Sequence, residues 1–239
     1  DILSKRTVDV WHWNDPYINP NQKKRWKREK ERTYMGVYYP EEERFVPLAS
    51  REMPDLSISE SDNYLVGSSS IPYAQRTTWD GRYSDYYLVD IKTGEKKLVI
   101  KEQEHTVRLS PDGKYLVYYK DSHWYLVETS TQKTRNLTES LKVPFADEDW
   151  DYPADVPGYR GGQWLDGSEA VLIYDKYDIW QFPTSGGEPV CLTEGLGRAE
   201  KYQFRIRILD KEKSFLESGE KVLVTAYHDL EKHTALYSM

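Results

Sequence analysis

A strand-like segment recurs along this chain at intervals of 51 to 55 residues. It is Tyr64-Leu65-Val66 at its first occurrence, and it returns at 115–117, 170–172 and 222–224. Each copy follows a turn-forming cluster, of which Ser110-Pro111-Asp112-Gly113 is the clearest. Short apolar and aromatic segments bounded by turn residues favour strands. The chain is therefore predicted to be a series of similar β units.

After each of the first three copies comes a further strand pair around a tight turn, at 89–94, 127–132 and 182–187. Four short strands in a repeat of about fifty residues are typical of β-propeller blades. We therefore predict an all-β fold, a β-propeller of four-stranded antiparallel blades. With three whole blades and two partial ones, the chain is expected to form a partial ring, a segment of a larger one.

All blades are assigned to one partial propeller domain, residues 1–239. The predicted blades span about 1–50, 56–100, 106–138, 161–193 and 202–239, and the last of them is incomplete. The first blade is expected to lack its first strand and to begin with the alternating segment Val8–Trp13.

The composition narrows the class of partner. A net charge of −7 and a pI near 5.4 argue against general nucleic-acid binding. No apolar run approaches the roughly 18 residues that a membrane-spanning helix needs, so no membrane span is predicted in this segment. Cys191 is the only cysteine, which excludes an internal disulfide, and its place in a strand predicts a buried structural thiol.

Three long connections interrupt the strand pattern, at 14–33, 68–84 and 141–160. In an antiparallel meander these connections fall on one side of the ring, and long loops on one side usually mark a binding or docking surface. The alternative is that they only cover blade edges. Their aromatic and charged residues are the candidate substrate or domain-interface residues: Tyr73, Arg76, Trp79, Arg82, Asp149, Trp150 and Tyr152.

Two acidic clusters allow more than one interpretation. The segment 147–152 combines four carboxylates with two aromatic rings, which suits a structural loop, an interface or a cation site, although the EF-hand pattern is absent. Asp175 and Asp178 suit a tight turn, or the paired carboxylates of a glycosidase. The five histidines form no zinc-ligand pattern, so no metal and no cofactor are predicted.

The sequence contains no Gly-x-Ser-x-Gly elbow, no phosphate-binding loop and no dinucleotide-binding fingerprint. No catalytic residue is therefore predicted in the chain.

Three segments, 8–16, 147–151 and 171–180, resemble the propeller of bacterial prolyl oligopeptidase-type (S9) serine peptidases, including relatives of dipeptidyl peptidase IV. The resemblance implies an N-terminal propeller that caps a C-terminal α/β-hydrolase domain, and that second domain carries the Ser, Asp and His of the catalytic triad. It also implies a peptide substrate and a periplasmic or secreted location, which the segment itself does not reveal.

The leading functional prediction is a non-catalytic propeller segment of an S9-type peptidase. Such a segment gates substrate access and docks the hydrolase domain. A non-enzymatic, protein-binding propeller of the TolB type is the alternative, and a propeller glycosidase is a weaker one.

Overall fold

The computed structural model describes residues 9–10, 12–210 and 212–239, and most of its regular structure is antiparallel β-sheet. Contacts divide these residues into two compact units. The first contains residues up to 56 together with 67–104, and the second contains 57–66 together with 105–239. No helix in the described ranges is long and apolar enough to cross a membrane.

The first unit begins with helix α1 (Asn19–Lys30) and a hairpin of β1 (Gly36–Tyr39) and β2 (Arg44–Pro47). A four-stranded sheet in the order β3-β4-β5-β6 comes next along the chain, and most of its residues belong to this unit. Its strands are β3 (Asp55–Ser57), β4 (Tyr64–Ser69), β5 (Ser84–Asp90) and β6 (Lys96–Gln103), and a 3₁₀ helix at Ile71–Thr78 connects β4 to β5.

The second unit contains three sheets. The first is an antiparallel meander of β7 (Arg108–Leu109), β8 (Tyr115–Lys120), β9 (His123–Glu128) and β10 (Thr134–Asn136). The next has β11 (Gly161–Leu165), β12 (Ala170–Tyr174), β13 (Ile179–Pro183) and β14 (Val190–Cys191), again in meander order.

After the short helix α2 (Leu196–Glu200), the third sheet of this unit is formed by β15 (Tyr202–Arg207), β17 (Leu223–His228) and β18 (Thr234–Ser238). Between β15 and β17 the chain contributes β16 (Phe215–Leu216), which pairs in parallel with β11 of the preceding sheet. Antiparallel pairing thus predominates in the described residues, and β16 adds one parallel strand.

Strand β12 shows why these sheets stack. All five of its residues are buried. Val171 and Ile173 join a core with Trp124 of β9, whereas Leu172 and Tyr174 point the other way, toward clusters that contain residues of the last sheet. Alternate residues of a strand face opposite sides of the sheet, so an apolar run without alternation is what a sheet covered on both faces requires. Each fully buried aliphatic side chain contributes about 1.5–3 kcal/mol.

The predicted all-β fold of four-stranded antiparallel blades is confirmed. The prediction of a strand at Val8–Trp13 is wrong for the residues that the structure describes. Residues 9, 10, 12 and 13 lie outside any strand, and residues 8 and 11 fall outside the described residues. Trp13 lies in a turn and is 88% exposed, so the apolar alternation there has no sheet to pack on. The division of the chain into blades at the stated boundaries stays a prediction.

Candidate functional site

The richest group of interacting polar side chains lies in the second unit. It is contributed by the loop after β10, the turn between β12 and β13, helix α2 and the turn between β17 and β18. The predicted candidates Asp149, Trp150 and Tyr152 belong to its first loop, for which we use the name acidic arm (residues 147–152).

The turn between β12 and β13 is built on two buried carboxylates. Asp175 is fully buried and accepts hydrogen bonds from the backbone N–H of Tyr177 (2.7 Å) and Asp178 (2.9 Å) and from the indole Nε1 of Trp180 (2.9 Å). This is the local side-chain-to-backbone bonding that favours Asp in turns.

Asp178 is also buried, and it serves a different segment. It accepts hydrogen bonds from the Thr193 hydroxyl (2.6 Å) and from the backbone N–H groups of Gly197 (2.9 Å) and Arg198 (3.0 Å) at the start of α2. Both carboxylates are therefore occupied by the chain's own donors. The geometry favours the turn interpretation of this pair and gives no support to the glycosidase alternative.

Two ion-pair chains fix the acidic arm. Asp149 pairs with Lys176 (2.8 Å), and Lys176 also approaches Asp229 (3.4 Å). Glu148 pairs with Arg198 (2.7 Å). Because these pairs join the arm to the turn, to α2 and to the β17–β18 turn, the arm is held from three sides.

The charges on these groups are reinforced by their surroundings. Burial alone would lower the pKa of the Lys176 ammonium, but the carboxylates of Asp149 and Asp229 raise it well above its usual range. Burial likewise works to raise the pKa of Asp229, yet hydrogen bonds from Tyr177 and Lys176 bring it below the ordinary value. Lys176 and Asp229 therefore both stay ionised near neutral pH, which keeps their ion pair intact.

The acidic arm carries an aromatic pair, in which Trp150 is half-buried and Tyr152 faces solvent. The rings of Trp150 and Tyr152 lie 5.0 Å apart with a tilt of 48°. The Trp150 indole donates a hydrogen bond to the Ala154 carbonyl oxygen (3.1 Å), while Tyr152 is 67% exposed. An exposed ring on a loop fixed by ion pairs loses little side-chain entropy when a partner covers it.

The remaining candidates lie in the first unit, around the 3₁₀ helix. The Tyr73 hydroxyl donates to Asp85 (2.6 Å), and burial together with this carboxylate raises the pKa of Tyr73 to about 12. Arg76 forms ion pairs with Asp80 (2.5 Å) and Glu102.

The Arg76 guanidinium also lies 4.0 Å from the centre of the Tyr83 ring, so this cation is fully engaged inside the unit. Trp79 is 74% exposed, and Arg82 is exposed as well. Of the four candidates in this unit, Trp79 and Arg82 are therefore the ones available to a partner.

A cavity of about 660 Å³ in the second unit was not expected from the sequence. It is lined by the segment before β4, by β7 and β11, and by the connection that contains β16. Its charged residues are Glu60, Arg108, Glu212 and Lys213, and the Ser214 hydroxyl donates to Glu60 across it.

The arm is a poor metal site, because Glu148 and Asp149 are already paired with Arg198 and Lys176. Within the described residues, one group of three potential ligands does converge: His228, Glu231 and His233. This group was not predicted from the sequence, because the spacing of its residues fits no zinc motif. The usable signal was the placement of two histidines on either side of a predicted hairpin turn.

No protein-family model matches the sequence, and no curated protein matches it either. Among solved structures, the chain is similar to the β-propeller domain of the trilobed protease from Pyrococcus furiosus, with 14% identity and a TM-score of 0.42. That similarity covers 82% of this chain and 56% of the other, so the chain spans just over half of the structure that it resembles.

Two further structures are similar to it. One is a putative TolB from Agrobacterium tumefaciens (12% identity, TM-score 0.42), for which the match covers 82% of this chain and 70% of the other. The other is the dipeptidyl peptidase 4 of Porphyromonas gingivalis (14% identity, TM-score 0.38), for which the figures are 88% and 30%.

Proposed function

We propose that this chain is a non-catalytic propeller segment of an S9-type serine peptidase, which gates substrate access and docks an α/β-hydrolase domain. The observation that carries the proposal is the acidic arm. It combines carboxylates with an exposed ring, Tyr152, that packs beside the half-buried Trp150, and ion pairs at Asp149 and Glu148 hold the arm in one position.

The arm has the properties of a docking element rather than of a mobile loop. Tyr and Trp are enriched at protein interfaces because a large ring buries much area at low entropic cost. The ion pairs order the arm before a partner binds, so less conformational entropy is lost on binding. Asp151 is an exposed carboxylate next to Tyr152, and its charge suits a basic segment or the ammonium group of a peptide.

The assignment of a non-catalytic role rests on the sequence. It has no nucleophile elbow, and its two buried aspartates serve a turn and a helix start. The purified chain is therefore expected not to react with a fluorophosphonate probe and not to cleave chromogenic peptides that contain Pro or Ala. Labelling of the chain by the probe would contradict the proposal.

The decisive experiment is to read the coding sequence beyond Met239. A few hundred further residues that contain Gly-x-Ser-x-Gly are expected on the peptidase proposal. A reading frame that ends without that motif would overturn it and favour a protein-binding propeller of the TolB type.

The docking role is tested in the complete encoded protein. Tyr152→Ser is expected to weaken cross-linking between the arm and the hydrolase domain and to raise the KM for peptides. Phe45→Ala is the matched control, because Phe45 is 62% exposed but lies on β2, outside the three long connections. Equal effects of the two substitutions would refute a specific role of the arm.

A further inference from the structure

The turn between β17 and β18 brings two histidines face to face. His228 ends β17 and His233 directly precedes β18, and the backbone N–H of His228 donates to the carbonyl oxygen of His233 (2.9 Å). Directly opposed residues of an antiparallel pair project from the same face of the sheet. The two imidazole rings are accordingly almost parallel, 7° apart in orientation, with centroids separated by 5.3 Å.

A carboxylate from the same turn completes the group. Glu231 places Oε2 3.4 Å from Nδ1 of His233. One potential ligand atom from each of His228, Glu231 and His233 lies within 4.8 Å of the others, a spread that a single ion at ordinary bond lengths can bridge after small side-chain rotations.

The surroundings hold the rings without covering them. The ring of Tyr202 packs edge-on against both imidazoles, with centroid distances of 4.7 Å to His228 and 5.9 Å to His233. Glu231 and His233 are exposed, so an ion reaches the group directly from solvent. The nearby Lys232 ammonium faces Asp229 (3.5 Å), which offsets part of its repulsion of a cation.

We propose that His228, Glu231 and His233 form a surface site for a divalent transition metal, with Zn²⁺ as the favoured ion. Two imidazoles and one carboxylate are a known three-ligand set for zinc, and water completes the tetrahedron. Imidazole ligands favour Zn²⁺, Cu²⁺ and Ni²⁺, whereas Mg²⁺ and Ca²⁺ prefer an all-oxygen set.

Two existing hydrogen bonds at the imidazole nitrogens set a limit on the affinity, and one of them joins the Tyr202 hydroxyl to Nε2 of His233 (3.4 Å). The backbone N–H of Glu231 donates to Nδ1 of His228 (2.9 Å), so the ion either displaces this donor or binds after the ring has turned. Either route breaks a hydrogen bond, and the site is exposed. Micromolar binding is therefore expected rather than the tight binding of a buried structural zinc site.

The test is a calorimetric titration of the tag-free chain with ZnCl₂, with MgCl₂ as the comparison ion. One saturable Zn²⁺ site is expected, and no heat of binding from Mg²⁺. Loss of a ligand should weaken binding at least as much as loss of an outer-shell partner, about 10- to 100-fold. His228→Ala and His233→Ala should each cause such a loss, and Glu231→Gln a smaller one.

The control is His12→Ala. His12 is exposed and its Nδ1 also accepts a backbone N–H, from Asn14 (3.1 Å), but among the described residues it belongs to no such group of three. This variant should bind Zn²⁺ as the parent chain does. Circular dichroism of each variant establishes that the fold is retained.

The double variant His228→Ala/His233→Ala separates one shared ion from two independent histidines. If one ion is shared, each single substitution already removes most of the Zn²⁺ affinity. The absorption spectrum of bound Co²⁺ then has tetrahedral character in the parent chain and octahedral character in the variants. Independent binding would show as additive losses. Three results would overturn the proposal: additive losses, Zn²⁺ binding that is insensitive to all three substitutions, or no Zn²⁺ binding at all.

Discussion

Replacement of Asp178 by Ala is expected to destabilise the chain strongly, because one buried carboxylate serves three donors. The Thr193 hydroxyl and the backbone N–H groups of Gly197 and Arg198 all point at it, at 2.6, 2.9 and 3.0 Å. Asp178 is 2% exposed, so water does not replace it freely once it is removed.

The magnitude follows from the donors left behind. A buried donor without a partner costs about 1–3 kcal/mol, and the Thr193 hydroxyl can rotate to another acceptor whereas the two N–H groups cannot. The expected loss for Asp178→Ala is therefore about 3–5 kcal/mol, the range found when one partner of a buried charged network is removed. Asp178→Asn keeps one carbonyl oxygen and is expected to cost about 1–2 kcal/mol.

The measurement is urea unfolding followed by tryptophan fluorescence, with the midpoint and the slope m determined for each variant. Asp166→Ala is the matched control, since Asp166 is exposed and accepts only the N–H of Gly167 (2.7 Å). It should cost well under half of the loss at Asp178.

The same experiment separates a structural aspartate from a catalytic one. Carboxylates held for catalysis usually reduce stability, so their removal is neutral or stabilising. An Asp178→Ala variant within about 0.5 kcal/mol of the parent, at unchanged m, would refute the assigned role and reopen the glycosidase alternative.

Two further predictions concern the turn before β8. Gly113→Ala should lower the free energy of unfolding by about 1–3 kcal/mol, because Gly113 has a φ of +75° and a Cβ there would overlap the Ser61 hydroxyl. Thermal unfolding measures this loss, and an unchanged midpoint would contradict the prediction. Burial works to raise the pKa of Asp112, but hydrogen bonds from Ser110 and Lys114 hold it below its ordinary value. The carboxylate therefore contributes stability above about pH 4, and this contribution is lost as the pH falls through the pKa of the folded state. Asp112→Asn should flatten the acid limb of the curve of stability against pH. A pH profile identical to that of the parent chain would exclude the contribution.

The strands around clear turn signals were predictable from the sequence. In the sheet β7–β10, the strand segment expected at 115–117 begins β8 (Tyr115–Lys120), and the tight turn expected at 127–132 connects β9 (His123–Glu128) to β10 (Thr134–Asn136). Pro111 and the left-handed Gly113 fix the preceding turn, and hydrophobic side chains then alternate against the core. Local chemistry and tertiary packing agree in this region.

Elements without such a pattern were missed. Helix α1 lies in a predicted long connection and has no buried residue. The sequence therefore has no apolar stripe there that would predict a helix, although a proline stands in its first turn. Strand β16 has two residues and exists only because the connection after β15 returns to pair with β11. A contact between segments about fifty residues apart is not encoded in any local window.

The acidic arm was predicted in part for the same reason. The sequence shows its carboxylates and rings side by side, but not what holds them. Asp149 pairs with Lys176, which follows it by 27 positions, and Glu148 pairs with Arg198, which follows it by 50 positions. Lys176 lies in the turn between β12 and β13 and Arg198 lies in α2, so only the tertiary fold brings them to the arm.

The ion pairs connect the two proposed sites within the second unit. Lys176 joins Asp149 of the acidic arm to Asp229, the residue after His228 in the turn that carries the proposed metal ligands. Because Lys176 is largely buried, removal of its charge would leave two carboxylates facing each other and would disturb both places at once. A loss of docking in a Lys176 variant would therefore say nothing specific about the arm, and a change in Zn²⁺ affinity would say nothing specific about the ligands. Exposed groups at the two ends, Tyr152 and His233, report on each site separately, since each can be removed without breaking the chain of charges between them.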